Sequence, residues 1–333
     1  MSGLLSTVRA QPTAVETLRR ALATGRVHHA YLFDGPEGVG KERTAFGLAQ
    51  ALVCERRPEG SADACGACRA CARAVPRPGE RRPLHPDVVA LERGLYDPAA
   101  IGRRTPEAQD ISIDQVRTLV LARASFPPHE GRAKVFVVRR AEDLSQAAAN
   151  ALLKTLEEPG ARTHFVLLSS TADALLPTIR SRTQRVRFGA LPDAVVTDLL
   201  VEHGLDGARA TEIAPLAGGS MASALALADP EASARRQEFV ARAMAAFEAR
   251  DLGPALEIAE EAKKGDKAGL AAQLEALAAA FGARARAAAS APDRRPDVAA
   301  ARHALALAAL RQLDANASVQ LTVEAMLMRM RNL

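Results

Sequence analysis

The pattern Gly35-Pro36-Glu37-Gly38-Val39-Gly40-Lys41 constrains this chain more than any other feature in it. It follows the apolar run Ala30-Tyr31-Leu32-Phe33 and precedes a stretch of helical texture, Lys41–Val53. A strand buried on both faces, a glycine turn and then a helix is how a parallel sheet covered by helices begins. Glycines let successive backbone N–H groups wrap an anion, the helix N-terminus adds positive potential, and the lysine reaches outward. Gly35, Gly38, Gly40 and Lys41 are therefore candidate phosphate-binding residues.

Similar apolar runs recur at Asp87–Leu91, Val135–Val138 and Phe165–Leu168. Helix signals lie between them. Ile113–Ala124 has Ser112 as its N-cap, and Gln146–Leu156 has Ser145 as its cap and stops before Pro159. The alternation predicts a doubly wound α/β domain over residues 1–190. Residues 54–110 interrupt it and read as an insertion and surface loops, with a Pro- and Arg-rich run at Pro76–Pro86 and a further insertion at 94–110. Short helices at Val195–His203, Ala208–Leu216 and Met221–Ala228 predict a small helical unit over 191–230. From 231 to 333 the texture is of long helices, with Lys267–Ala291 rich in alanine and Val298–Met330 read as one helical segment.

Composition removes several function classes. No stretch approaches the 18 or so apolar residues of a membrane span, and no signal peptide opens the chain, so a cytoplasmic protein with no membrane contact is expected. Aromatics are 3% with no Trp, too few for a protein that stacks single-stranded bases on aromatic platforms. The net charge of +5 permits contact with nucleic acid without requiring it. It is uneven: residues 1–190 carry 28 basic and 20 acidic side chains, residues 191–333 carry 16 and 19.

Two substitutions set the glycine loop apart from a hydrolytic site. The position after Lys41 normally carries a Ser or Thr hydroxyl that ligates Mg²⁺, and here it is Glu42. Thr44 does not share that direction on a helix. The strand Val135–Val138 should end in acids that hold the metal and polarise water, but it ends in Arg139-Arg140, with Glu142 and Asp143 further on. These read as two independent losses, and they predict a phosphate loop that does not hydrolyse ATP. ATP binding stays open, since Lys41 and the glycines are present.

All four cysteines, Cys54, Cys65, Cys68 and Cys71, fall within 18 residues. Four thiolates with this C-x2-C spacing suit tetrahedral Zn²⁺, and a set of four leaves no open position for catalysis, so a structural site is expected. His85 is an alternative ligand, although His85-Pro86-Asp87 also reads as a turn into the next strand.

Together these residues resemble the clamp-loader branch of the AAA+ ATPases, and within it the delta-prime type of bacterial DNA polymerase III. The likeness rests on His29–Pro36, the cysteine cluster, His85-Pro86-Asp87, the block Asn150–Pro159, and Leu176-Pro177-Thr178-Ile179-Arg180-Ser181-Arg182. Thr183 stands where the last motif is usually Cys. The likeness is good over about residues 5–230 and beyond that is only helical texture. It implies an AAA+ core with a parallel sheet (1–190, with the zinc insertion 54–71), a helical lid (191–230) and an all-α collar for oligomerisation (231–333). It also implies that Arg182 is an arginine finger acting on ATP held by a neighbouring subunit, with Arg180 in a secondary role. The partners implied are gamma/tau and delta clamp-loader subunits, the sliding clamp, and primed DNA through the assembly. The segment Gly218–Ala224 lacks the ATP-sensing arginine of active members, the chain carries no long tau-type extension, and Thr171 is a relic of a core sensor position. Two other readings stay open at this point: an ATP-hydrolysing gamma/tau-type subunit and a zinc-bearing DNA-binding adaptor.

Overall fold

The structure, a computed structural model, describes residues 3–102, 110–249, 251–265, 267–289, 296–314 and 317–333. The insertion expected at 94–110 lies partly outside them. The chain divides into two compact units, Met1–Leu225 and Ala226–Leu333.

The first unit is built on a five-stranded, all-parallel sheet of β1 (Ala30–Asp34), β2 (Val88–Leu91), β3 (Lys134–Val138), β4 (Thr163–Ser169) and β5 (Gln184–Arg187), ordered β2-β3-β4-β1-β5. The predicted strands are present, each within two residues of its expected ends. β5 was not foreseen. It is an edge strand in which only Val186 is buried, between the exposed side chains of Arg185 and Arg187, so it carries no apolar run. The helix Pro12–Ala23 also escaped the sequence reading. Phe136 and Phe165 stack 5.1 Å apart on adjacent strands, and Leu152 and Leu156 of the helix Gln146–Glu157 pack into the same cluster. The expected helix at 113–124 starts on its Ser112 cap but widens into a π turn over Arg117–Leu121. The wider turn lets the adjacent residues Leu119 and Val120 both be buried.

Because every strand runs the same way, all carboxyl ends meet on one edge of the sheet, where ligands of open α/β folds bind. β3 is anchored at its other end by two buried charges. The Asp87 carboxylate accepts backbone N–H bonds from Glu130 at 2.8 Å and Gly131 at 2.7 Å, and another from His129. The Lys134 ammonium donates to the carbonyls of Arg123 at 2.6 Å and Phe126 at 3.1 Å. His85 closes the predicted turn by accepting from the Asp87 N–H through Nδ1 at 3.1 Å.

Helices Asp193–Glu202, Gly207–Ile213 and Met221–Ala228 follow the sheet. The second unit contains helices Pro230–Glu248, Gly253–Lys264, Lys267–Ala289, Pro296–Asp314 and Val319–Arg331. Its core gathers Phe239, Leu274, Leu277, Phe281, Val323 and Met326. The single helical segment expected over 298–330 is two helices. Ser318 is the N-cap of the second, with φ −59° and ψ 121° outside the helical region. Among the described residues, no helix is long and apolar enough to cross a membrane.

Burial by itself would raise the Asp87 pKa, but the three amide donors outweigh it and hold the carboxyl below its ordinary value. Its contribution to stability is therefore complete above the unfolded-state pKa of about 3.9 and is lost as the pH falls through and below that value. Asp87→Asn should cost about 1–3 kcal/mol at neutral pH, leaving the amides without their charged acceptor. It should also flatten the acid side of the stability profile, and urea unfolding at neutral pH and about pH 3.5 measures both effects. A variant as stable as the parent at neutral pH would show that the carboxylate does not anchor this turn.

Candidate functional site

The glycine loop leaves the carboxyl end of β1 and is tied to the neighbouring strand by Gly35 N–H donating to the Ser169 carbonyl at 3.3 Å. Its backbone requires glycine. Gly38 has φ +74°, and a Cβ there would lie 2.5 Å from Ser220 Oγ and from the Ala222 nitrogen. Gly40 is the left-handed N-cap, φ 103°, of the helix Lys41–Val53. The Gly38 carbonyl accepts from Met221 N–H at 3.1 Å, so the Ser220–Ala222 segment lies directly on the loop. Lys41 donates to the Gly35 carbonyl and, at 2.5 Å, to the Pro36 carbonyl. Burial lowers its pKa, and the charges of Glu142, Glu37 and Asp34 act in the opposite sense. Thr44 is fully buried and donates to the Gly40 carbonyl at 2.9 Å, so it is directed back onto the helix as expected.

The cleft beside the loop has a volume of about 380 Å³ and is lined by the loop, the ends of β3 and β4, Glu92 and Glu142. Here the structure corrects the reading of two independent losses. Arg139, at the end of β3, has a side chain only 8% exposed and donates to Glu42 Oε1 at 2.5 Å. Its other terminal nitrogen donates to Glu92 Oε2 at 3.0 Å and to the Arg81 carbonyl at 2.8 Å. Glu42 and Arg139 are thus two halves of one ion pair. Glu42 is not simply a carboxylate set against a phosphate; it is held by the guanidinium. Arg140, also lining the cleft, takes a left-handed conformation with φ 47° and pairs with Asp143 at 3.0 Å and Glu37 at 3.2 Å. Glu142 reaches the cleft and accepts from Ser170 Oγ at 2.9 Å. Thr171 does not line the cleft, whereas Ser169 and Ser170 do. Sequence reasoning missed Glu92. The available signal was its place immediately after an apolar strand, which in a parallel sheet is the ligand edge.

The four cysteine sulfurs lie within 4.8 Å of one another. Cys54 and Cys68 are 4.0 Å apart, and Cys65 and Cys71 are 3.8 Å apart. Zn²⁺ bound at about 2.3 Å to four sulfurs sets S···S separations of about 3.8 Å, so the cluster fits the ion. Three cysteine N–H groups point at sulfurs: Cys65 at Cys54 (3.4 Å), Cys68 at Cys65 (3.3 Å) and Cys71 at Cys68 (3.4 Å). Backbone donors, Ala67 first among them, bring the Cys65 thiol down to about 6. Burial pushes the Cys54 and Cys71 thiols up. His85 is not part of the cluster.

Arg182 follows the short helix Pro177–Arg180, with its side chain 32% exposed. One terminal nitrogen donates to the Thr178 carbonyl at 2.9 Å, and the other pairs with Glu157. Arg180 pairs with Asp173 at 2.6 Å. Arg182 is not among the residues lining the chain's own phosphate-loop cleft.

Comparison with known proteins agrees with this geometry. Residues 10–192 match the family model described as DNA polymerase III, delta subunit. The chain is 36% identical over 180 residues to the DNA polymerase III subunit gamma/tau of Mycobacterium tuberculosis, a match covering 54% of this chain and 28% of that protein. It is 31% identical over 193 residues to the DNA polymerase III subunit delta' of Bacillus subtilis, covering 58% of this chain and 52% of that protein. The matches therefore span about half or less of these relatives' lengths. A DNA polymerase III gamma subunit-related protein from Thermotoga maritima shares the fold, with a TM-score of 0.53 and 20% identity, over 95% of this chain and 98% of that one. With the family match extending over more than half of its length and the loop, sheet and motif positions in agreement, the chain belongs to the DNA polymerase III delta subunit family, in the clamp-loader branch that its motifs resemble.

Proposed function

We propose that this chain is a delta-prime-type clamp-loader subunit that does not hydrolyse ATP itself and donates Arg182 to a neighbouring subunit's ATP. The observation that carries the reading is the Arg139–Glu42 pair. It removes both the hydroxyl and the acid that a hydrolytic phosphate loop uses to hold Mg²⁺. The likeness to gamma/tau subunits favours a hydrolysing alternative, and this pair weighs against it. A finger acting in trans agrees with the position of Arg182 away from its own cleft and with its partial exposure. The helices of the second unit would serve in assembly, with gamma/tau and delta subunits as partners and the sliding clamp and primed DNA as the objects handled. The cysteine cluster would hold one structural Zn²⁺, closed by four sulfurs and bracing the segment 54–71 against the helix Lys41–Val53.

The isolated chain should show no ATP turnover. In a complex reconstituted with gamma-type subunits, Arg182→Ala should lower clamp- and DNA-stimulated hydrolysis at the site it serves, on the order of 10³-fold by analogy with other trans fingers. Unchanged stimulated hydrolysis would remove the finger assignment, and turnover by the isolated chain that vanishes in Lys41→Ala would overturn the non-hydrolysing reading.

Metal analysis of mildly purified protein should find one zinc per chain, and Cys68→Ser should lose it together with several degrees of thermal stability. Substoichiometric zinc in the parent protein would rule out a structural site.

A further inference from the structure

We propose that the Arg139 guanidinium is a built-in replacement for the divalent cation of a phosphate loop, and that its pairing with Glu42 closes this cleft to metal-bound nucleotide. The inference rests on the reading of the cleft as a non-hydrolysing phosphate loop and goes beyond it: the site has not merely lost its metal ligands but supplies its own cation.

Three features carry it. The first is the set of oxygens around the guanidinium. Glu42 comes from the first turn of the loop helix, Glu92 from just past β2 and the Arg81 carbonyl from the preceding loop, at 2.5, 3.0 and 2.8 Å. Oxygen atoms from separate chain segments converging on one buried positive charge is the arrangement a metal ion would otherwise organise. Arg139 also lies over the Phe46 ring at 5.4 Å, so the helix behind the loop packs against the same charge.

The second feature is charge. The carboxylates lining the cleft, Glu37, Glu42, Glu92 and Glu142, number four, and four basic side chains line it with them. The balance is complete without a divalent ion, and such an ion would have to enter beside a fixed guanidinium that repels it. The third is the loop itself. Lys41 is bound to the loop's own carbonyls, and the Gly38 carbonyl is held by Met221. The lysine that would greet a phosphate is already engaged within the protein.

The test uses the full-length chain and a fluorescent ATP analogue, titrated with Mg²⁺ and with EDTA. The parent protein should show no gain in affinity from Mg²⁺. Glu42→Thr combined with Arg139→Asp restores a hydroxyl and an acid at the two positions, and should bind the analogue at least about tenfold more tightly with Mg²⁺ than with EDTA. Mg²⁺-dependent affinity in the parent, or a folded double variant indifferent to Mg²⁺, would overturn the proposal. A second measurement needs no nucleotide and does not depend on that redesign folding. Thermal unfolding of Glu42→Gln, Arg139→Gln and their combination should be non-additive, the combination losing less than the sum of the single losses. Additive losses would show that the two residues do not act as a pair. Failure of the subunit role would appear instead in the Arg182 assay, which leaves this cleft unaltered.

Discussion

A single buried guanidinium joins the parts of the first unit that a bound ligand would otherwise join. Arg139 connects the first turn of the loop helix to the ends of β2 and β3, segments nearly 50 and 100 residues apart in sequence. Its neighbours divide unequally in burial, with the Glu92 side chain 18% exposed and that of Glu42 52% exposed. Buried ion pairs gain little over apolar packing, but removing one partner leaves an uncompensated charge, at about 3–5 kcal/mol. The asymmetry makes Arg139 the member whose loss is costly, and Glu42 the member that can be exchanged. Arg139 Nε is buried and has no hydrogen-bond partner, so all the recognition runs through the two terminal nitrogens.

This convergence depends on the sheet being wholly parallel. With Asp34 opposite Ser169 and Val138 opposite Leu167, the ends of β1, β3 and β4 are brought level, and the loop starts where Gly35 can reach the Ser169 carbonyl. A one-residue slip would move every side chain to the other face of a sheet that is buried on both. The register of β2 and β3 is reinforced from the far end by Asp87, whose carboxylate gathers three backbone amides, and by Lys134, whose ammonium gathers carbonyls. Charges buried with full sets of backbone partners hold the 126–133 turn in place, and that turn sets where β3 begins. The position of Arg139 at the other end follows from it.

Most of this architecture could be read in the sequence wherever an apolar run or a cap stood out. β1 to β4 are runs of Val, Leu, Phe and Ala, and Ser112 and Ser145 both accept from the amides their helices leave open. β5 was invisible because an edge strand with one buried residue has no apolar signature. The change from the helix ending at Asp314 to the one beginning at Val319 was invisible because no Gly or Pro marks it in the sequence. At the site, the glycines, lysine and cysteines were legible by spacing. The meaning of Glu42 and Arg139 was not, since a contact between residues 97 apart is a product of topology, and each looked like a separate defect. Glu92 was missed for the same reason.

Arg139 and Arg182 differ sharply in burial. Both are paired with a glutamate, but the side chain of Arg139 is 8% exposed, while those of Arg182 and its partner Glu157 are 32% and 47% exposed. An ion pair that open to water is worth about 0–1 kcal/mol, so it orients a side chain without trapping it. Glu157 is also the last residue of its helix, where the macrodipole disfavours a carboxylate, and a nearby arginine relieves that cost. Under the proposed reading, a phosphate oxygen from a neighbouring subunit would offer Arg182 a stronger partner than Glu157 does, because the phosphate carries more charge and the interface excludes water. The Thr178 carbonyl could keep its contact with the guanidinium during that exchange, holding one terminal nitrogen while the other changes partner. Arg139 has no such freedom. Its partners come from three chain segments and its own side chain is buried, so it serves as a fixed part of the fold, while Arg182 stays partly open to water.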